Sequence, residues 1–186
     1  MPRLFLAALF MAFLATSVRC QEDVLSPNIG GRKVQCSASG IPVYTDISLA
    51  IGYAAQAIIG PDGKRRIGIN PGVVKPLPKS MQLFIYAHEC AHHMNRDITA
   101  GMHFQHNSAS VEENADRVAI RLLRDSYMLN AVQVGEIADY ISTKPPISPY
   151  YLPRIQRSKW IAACYRTTDI SCGGSDAHYV GIIGDQ

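Results

Sequence analysis

The chain carries little excess charge of either sign. Its 186 residues include 18 Lys and Arg against 15 Asp and Glu, which gives a formal net charge of +3. Arg3 and Arg19 both lie in the first twenty residues, so removing those two charges leaves +1 for the rest of the chain. A nearly neutral domain has no electrostatic reason to bind the phosphate backbone of nucleic acid. The composition therefore predicts no nucleic-acid partner.

Long apolar runs are also missing after the N-terminal segment, as are internal repeats and low-complexity tracts. The segment itself has Arg3, an apolar run over residues 4–15 and a short polar exit that ends at Cys20. Such a run is too short to span a bilayer, and the pattern is typical of a secretory signal peptide. We therefore predict a cleaved signal at residues 1–20 and a single domain over 21–186. The mature protein is expected to be secreted or periplasmic, without a stable membrane anchor.

The cysteines form no C-x-x-C pattern, which argues against a zinc ribbon or a thioredoxin-type redox site. Cleavage of the signal leaves four of them, an even number that permits two disulfides in an oxidising compartment. Cys164 and Cys172 are close in sequence and are the first choice for a pair. The alternative is that all four are free, buried thiols.

The first half of the domain shows little helical periodicity. Residues 21–40 are rich in Gly, Ser and Pro and predict an irregular lead-in. Segments 50–59 and 64–70 flank Gly60-Pro61-Asp62-Gly63, a strong turn signal, and together predict a β-hairpin. The first arm could instead form a short helix, because it contains several alanines. Residues 71–78 predict a connector interrupted by prolines.

The second half of the domain is dominated by the apolar spacing of helices. Helices are predicted over residues 80–95, 107–124, 130–142 and 151–165. A small hairpin or sheet followed by mainly helical chain predicts an α+β fold in which helices predominate.

The first of these helices contains His88-Glu89-Cys90-Ala91-His92, which matches H-E-x-x-H. Histidines at i and i+4 lie on one face of a helix, so that both imidazoles can reach one Zn²⁺. Glu89 lies beside His88, where it can take a proton from a metal-activated water. The motif therefore predicts one zinc ion per chain, with a built-in general base.

The opposite face of the same helix is apolar and predicts its contact with the core. Leu83, Ala87, Cys90 and Met94 fall together there, which assigns Cys90 to packing. His93 points away from the ligand face and is expected to pack or to lie at the surface.

A catalytic zinc needs a third protein ligand and an open fourth position. The metzincin extension is absent, because Ile98 stands where its third histidine would be. A glutamate on the next helix is the remaining common choice, either Glu112 or Glu113. Glu113 shares a charged face with Arg117, whereas Glu112 shares a different face with Asp116. We predict Glu112 as the ligand, with Asp116 orienting His88 through its second ring nitrogen.

At these residues the chain resembles the gluzincins. His88-Glu89-x-x-His92 followed by Glu112-x-x-x-Asp116 is similar to their pattern, and the second segment resembles the E-x-x-A-D segment of M48-type peptidases. The resemblance covers residues 80–125, and no His precedes the later prolines as it often does in that family. It implies a zincin-like fold with an active-site helix, a glutamate helix and an edge strand that binds substrate by β-augmentation. The arm 64–70 would be that strand.

The expected activity is zinc-dependent hydrolysis of peptide bonds in a peptide or protein substrate, with Glu89 as general base. Related enzymes often add a side chain that donates to the oxyanion. No spacing singles one out here, and the candidates are Tyr150, Tyr151, Arg154 and His178. The alternative is a secreted zinc-binding structural or inhibitory module that is catalytically silent.

Overall fold

The computed structural model describes residues 24–47, 53–98, 108–126, 128–143 and 153–167. Within these ranges the chain forms strands and helices in separate parts of the sequence, which confirms the α+β class. The strands are β1 Asn28–Ile29, β2 Arg32–Lys33, β3 Cys36–Ala38, β4 Ile41–Asp46, β5 Ala55–Ile59 and β6 Arg65–Ile69. The helices are α1 Pro71–Val74, α2 Lys79–Asn95, α3 Ala109–Asp125, α4 Ala131–Thr143 and α5 Arg154–Arg166.

The strands form two small sheets. β1 and β2 pair as an antiparallel ribbon, and the larger sheet has the order β3-β4-β6-β5, in which only β4 and β6 run parallel. Among the described residues, β5 therefore lies at one edge of this sheet. The prediction that residues 64–70 form the edge strand is wrong, because β6 is paired on both sides.

The prediction of an irregular lead-in over residues 21–40 is also wrong, because three strands begin there. Strands of two or three residues are too short to show an alternating pattern. Their turns did leave a signal: Gly30-Gly31 and Ser39-Gly40 each connect two paired strands and all four residues have positive φ. Two-residue hairpin loops with positive φ at both positions match the twist of the strands they join.

The predicted hairpin around Gly60-Pro61-Asp62-Gly63 is confirmed. β5 pairs with β6 in antiparallel register, so the first arm is a strand and the helical alternative is wrong. Gly63 supplies a φ of 76°, and the Asp62 carboxylate accepts hydrogen bonds from the Lys64 backbone and the Arg66 guanidinium. The Arg66 contact holds the pKa of Asp62 well below its usual range.

All four predicted long helices form, and none of their ends moves by more than three residues. α2 lies between the larger sheet and the helices α3 and α4. Leu83, Ala87 and Cys90 are buried on its core side, as predicted, but His88 and His92 on the opposite side are buried as well. The ligand face of α2 is therefore covered by α3 rather than open to solvent. None of the described helices is both long enough and apolar enough to cross a membrane.

A disulfide joins Cys36 on β3 to Cys90 on α2, between two residues that are each fully buried. Cys90 therefore does more than pack, since it ties the motif helix covalently to the sheet. Cys164 is buried in α5 and is also disulfide-bonded. Its predicted partner, Cys172, lies outside the described residues.

Candidate metal centre

Two histidines of α2 present ring nitrogens to the same point in space. The Nε2 atoms of His88 and His92 lie 3.1 Å apart, and the two rings are nearly perpendicular at 87°. This follows from their i, i+4 spacing, which places both side chains on one face one helical turn apart. Both residues are buried, with at most 4% of their surface exposed.

Glu112 supplies the third group, from the first turn of α3. Its Oε2 lies 3.1 Å from Nε2 of His88, and its Oε1 lies 3.7 Å from Nε2 of His92. Ligand atoms placed about 2.0–2.1 Å from one zinc ion at tetrahedral angles would be separated by roughly 3.3–3.4 Å. The three side chains therefore form a group that could hold a metal ion.

Glu113 does not join this group. It pairs with Arg117 one turn along α3, and about a fifth of each side chain is exposed. Glu112 is 6% exposed and faces α2. Ser108 caps the start of α3 by accepting a hydrogen bond from the Val111 backbone, which fixes the first turn, to which Glu112 belongs.

Each histidine also contacts a carboxylate through its other ring nitrogen. Nδ1 of His88 lies 2.9 Å from Oδ1 of Asp116, and Nδ1 of His92 lies 2.9 Å from Oδ2 of Asp97. A carboxylate accepts a hydrogen bond, so each Nδ1 carries the proton and each Nε2 of a neutral ring keeps its lone pair. When both rings are neutral, two lone pairs face each other and the Glu112 carboxylate. A cation between the three groups removes this repulsion.

Asp116 is held in turn by a residue that the sequence did not identify. Arg157 of α5 donates from Nε to Oδ2 of Asp116 at 2.6 Å and from Nη2 to Oδ1 at 2.8 Å. Burial alone would raise the pKa of Asp116, but the charges of Arg157 and the His88 contact hold it well below its usual range. Asp116 is therefore a carboxylate at neutral pH. Its two hydrogen bonds from Arg157 hold it against α5, and its contact with Nδ1 orients His88.

The electrostatic environment of His88 favours a positive charge. Burial lowers the pKa of His88, but hydrogen bonds to Asp116 and Glu112 outweigh it and raise the pKa to about 10 in the metal-free protein. The surrounding carboxylates that stabilise a proton on His88 also stabilise a divalent cation at Nε2. A proton and a metal ion therefore compete for this nitrogen.

Glu89 lies next to His88 on α2 and is 7% exposed. Its Oε2 accepts a hydrogen bond of 2.7 Å from the backbone N–H of Ala57, at the middle of β5. The candidate base therefore lies between the histidine pair and the edge of the sheet.

His93 lies on a different side of α2 and takes no part in the cluster. Its Nε2 donates to the backbone oxygen of Arg66 on β6 at 2.8 Å, and the residue is 3% exposed. Burial lowers the pKa of His93 to about 4. This histidine is a packing residue, the first of its two predicted roles.

The remaining predicted site residues fall outside the cluster or outside the described residues. Arg154 is exposed at the start of α5, one helical turn before Arg157. The other oxyanion candidates lie outside the described residues: Tyr150, Tyr151 and His178.

Sequence reasoning missed Asp97 and Arg157. Asp97 follows Arg96, whose φ of 62° ends α2 in a left-handed turn and brings the carboxylate back to His92. A carboxylate just past the end of the motif helix was a readable signal. Arg157 is 41 residues from Asp116, and no local pattern links the two.

Comparison with protein families, with curated proteins and with solved structures finds no match to this chain. The geometry of the site is therefore the basis for proposing a function.

Proposed function

We propose that this protein is a secreted zinc-dependent metallopeptidase. The observation that carries the proposal is the convergence of His88 Nε2, His92 Nε2 and the Glu112 carboxylate on one point, with Glu89 beside them. Each Nδ1 is fixed by a carboxylate, as is typical of histidines that bind metal. A structural zinc site needs no adjacent acid, so Glu89 favours a catalytic one.

The donor set fits zinc better than it fits calcium or magnesium. Imidazole nitrogen and carboxylate oxygen are its usual ligands, whereas calcium and magnesium prefer sites made of oxygen alone. Two histidines and one glutamate leave the fourth tetrahedral position for solvent or substrate, which distinguishes a catalytic from a structural site.

Zinc held by these residues would lower the pKa of a bound water and polarise a peptide carbonyl. The chain's own residues supply the rest of the chemistry. Glu89 accepts a proton during attack on the carbonyl and returns it to the departing amine. Asp116 and Asp97 keep Nδ1 of His88 and of His92 protonated, so that each Nε2 stays available as a ligand.

The substrate strand that we propose lies along β5. Edge strands present unpaired backbone groups to which an extended peptide can add as a further strand. β5 packs against α2 and reaches Glu89 through Ala57, so a peptide along its outer edge would pass the candidate base. An edge strand, a motif helix and a glutamate helix in these positions support a zincin-like fold.

A secreted or periplasmic location is part of the proposal. The N-terminal segment has the pattern of a signal peptide. The buried Cys36–Cys90 disulfide adds support, because such bonds persist mainly in oxidising compartments.

Digestion of a diverse peptide mixture, read by mass spectrometry, tests the activity. The protein is compared metal-free, reloaded with zinc and reloaded in the presence of excess chelator. We expect cuts only in the zinc-loaded sample. Zinc binding without any cut would favour the silent zinc module, and failure to bind zinc would remove both readings.

A further inference from the structure

The backbone groups of β5 alternate between facing β6 and facing outward. Asn70 N donates to Ala54 O and Gly60 N donates to Lys64 O, so residues 54 and 60 face β6. In an antiparallel pair the direction alternates with every residue. The register Ala57↔Ile67 therefore directs the N–H and C=O groups of Ala57 away from β6, along with those of Ala55 and Ile59.

Glu89 takes one of these outward groups. Its Oε2 accepts the Ala57 N–H at 2.7 Å, and both residues are buried, with 7% and 2% of their surface exposed. Hydrogen bonds to a carboxylate are about twice as strong as those between neutral groups. Among the described residues, Oε1 of Glu89 accepts no hydrogen bond. One carboxylate oxygen is thus anchored while the other is left for proton transfer.

We propose that the backbone N–H of Ala57 is a positioning group for Glu89, so that the edge strand orients the general base. The inference rests on the proposed function. A glutamate has three rotatable bonds, and proton transfer requires its oxygen within about 2.6–3.2 Å of the donor. An anchor on a paired strand removes much of that freedom.

The contact between Glu89 and Ala57 gives the outward N–H groups of the edge strand two different roles. The Ala57 N–H is bonded to Glu89 and cannot also pair with a peptide. Among the described residues, the outward N–H groups of Ala55 and Ile59 have no hydrogen-bond partner and remain for substrate. Substitution by proline removes one backbone N–H and is tolerated where that group faces outward from an edge strand. Ala55 and Ala57 are therefore a matched pair for testing base positioning against peptide docking.

Amide hydrogen exchange tests the contact without any activity measurement. In the zinc-loaded protein we expect the Ala57 amide to exchange at least about tenfold more slowly than in Glu89→Ala, because the substitution removes a charge-assisted hydrogen bond. The Ala55 amide serves as the internal control and should change little. Equal Ala57 exchange in the two proteins would overturn the proposal.

Steady-state kinetics on a cleaved peptide tests the role. Ala57→Pro should lower kcat by about 100-fold, since a small misplacement of a catalytic group has effects of that order, with KM nearly unchanged. Ala55→Pro should raise KM and leave kcat nearly unchanged. Zinc content should equal that of the unmodified protein in both variants. Ala57→Pro that changes only KM, as Ala55→Pro does, would overturn the positioning role.

The two experiments also separate the two proposals. If the zinc-loaded protein cleaves no peptide, the proposed function fails, while hydrogen exchange still decides whether Ala57 anchors Glu89. If peptides are cleaved and the exchange rate of the Ala57 amide is the same with and without Glu89, the proposed peptidase stands and the positioning inference fails.

Discussion

Charge and protonation at single residues determine what the cluster around α2 can bind. Four carboxylates contact or flank the two histidines, and Arg157 is the cation that contacts Asp116 directly. Because Nδ1 of each ring is used, the Nε2 atoms can act only as acceptors while the rings are neutral. Glu112 adds negative charge at the same point, which selects a cation over a neutral ligand.

Glu112 and Glu113 offer a matched test of the ligand set. Glu112→Gln should weaken zinc binding by more than about 100-fold, because even residues that only orient a ligand typically contribute 10- to 100-fold. Glu113→Gln should leave zinc affinity nearly unchanged, since Glu113 pairs with Arg117 away from the site. Competition with a chelator of known zinc affinity measures both. Equal losses of zinc affinity in the two variants, or a larger loss in Glu113→Gln, would show that Glu112 is not the ligand.

Substitutions of Asp116 and Asp97 should differ in their effect on the stability of the fold. Asp116→Asn should weaken zinc binding by about 10- to 100-fold and also destabilise the fold, because it removes the buried negative charge that contacts Arg157. Asp97→Asn should weaken zinc binding without a comparable loss of stability, since Asp97 contacts His92 from the edge of the site. Chelator competition and urea unfolding measure the two effects. Unchanged zinc affinity in both variants would contradict the proposed roles.

Among the secondary-structure elements, α2 is the one that the rest of the fold holds in place. His93 attaches it to β6, the disulfide attaches it to β3, and Glu89 attaches it to β5. Each attachment comes from a residue in or next to the H-E-x-x-H motif. The orientation of the candidate ligands is therefore set by the sheet as well as by the helix.

The His93 attachment predicts a loss of stability in acid. Burial lowers the pKa of His93 to about 4 in the folded state, against about 6.5 when unfolded. Its contribution is therefore complete above about pH 6.5 and is lost as the pH falls toward 4, a change of roughly 2–3 kcal/mol.

Urea unfolding of metal-free protein between pH 4 and pH 7 checks this, with His93→Gln as the control. The unmodified protein should lose more stability over this range than the variant does. Metal-free samples exclude the release of zinc as a cause. If the free energy of unfolding falls equally with pH in the two proteins, His93 does not titrate as expected.

Most of the helical elements could be predicted from sequence, and most of the short strands could not. The apolar stripes of α2 and α3 each repeat over about three turns, which is enough to predict the helical period and the buried face. The choice of Glu112 over Glu113 followed from the different helical faces on which the two residues lie. β1 to β3 are too short for a period, and pairing of β5 at an edge depends on strand order, which local sequence does not contain. The contact of Arg157 with Asp116 could not be predicted either, because it joins two helices that are brought together only by the fold.

A disulfide between residues far apart in sequence links the sheet to the motif helix. Cys36 and Cys90 are 54 residues apart in sequence and are both buried. In the chain-entropy model, a link across a loop of this size destabilises the unfolded state by about 4 kcal/mol. The sequence permitted two disulfides but did not select this pair, because the proximity of β3 and α2 is a property of the fold.

Replacing both cysteines by alanine should therefore lower the free energy of unfolding by about 2–5 kcal/mol. Urea unfolding of the zinc-free protein measures this, and simultaneous replacement avoids a new free thiol. A loss below about 1 kcal/mol would show that the link contributes little beyond packing.

We propose that a single zinc site and the adjacent Glu89 together catalyse the hydrolysis of peptide bonds. The most direct test is Glu89→Gln, measured in the same preparation for zinc content and for cleavage of the peptide mixture. We predict about one zinc ion per chain in both proteins and cleavage by the unmodified protein alone, because the substitution removes the base and keeps His88, His92 and Glu112. Cleavage by Glu89→Gln at the rate of the unmodified protein, or absence of zinc from both proteins, would contradict the proposed zinc peptidase.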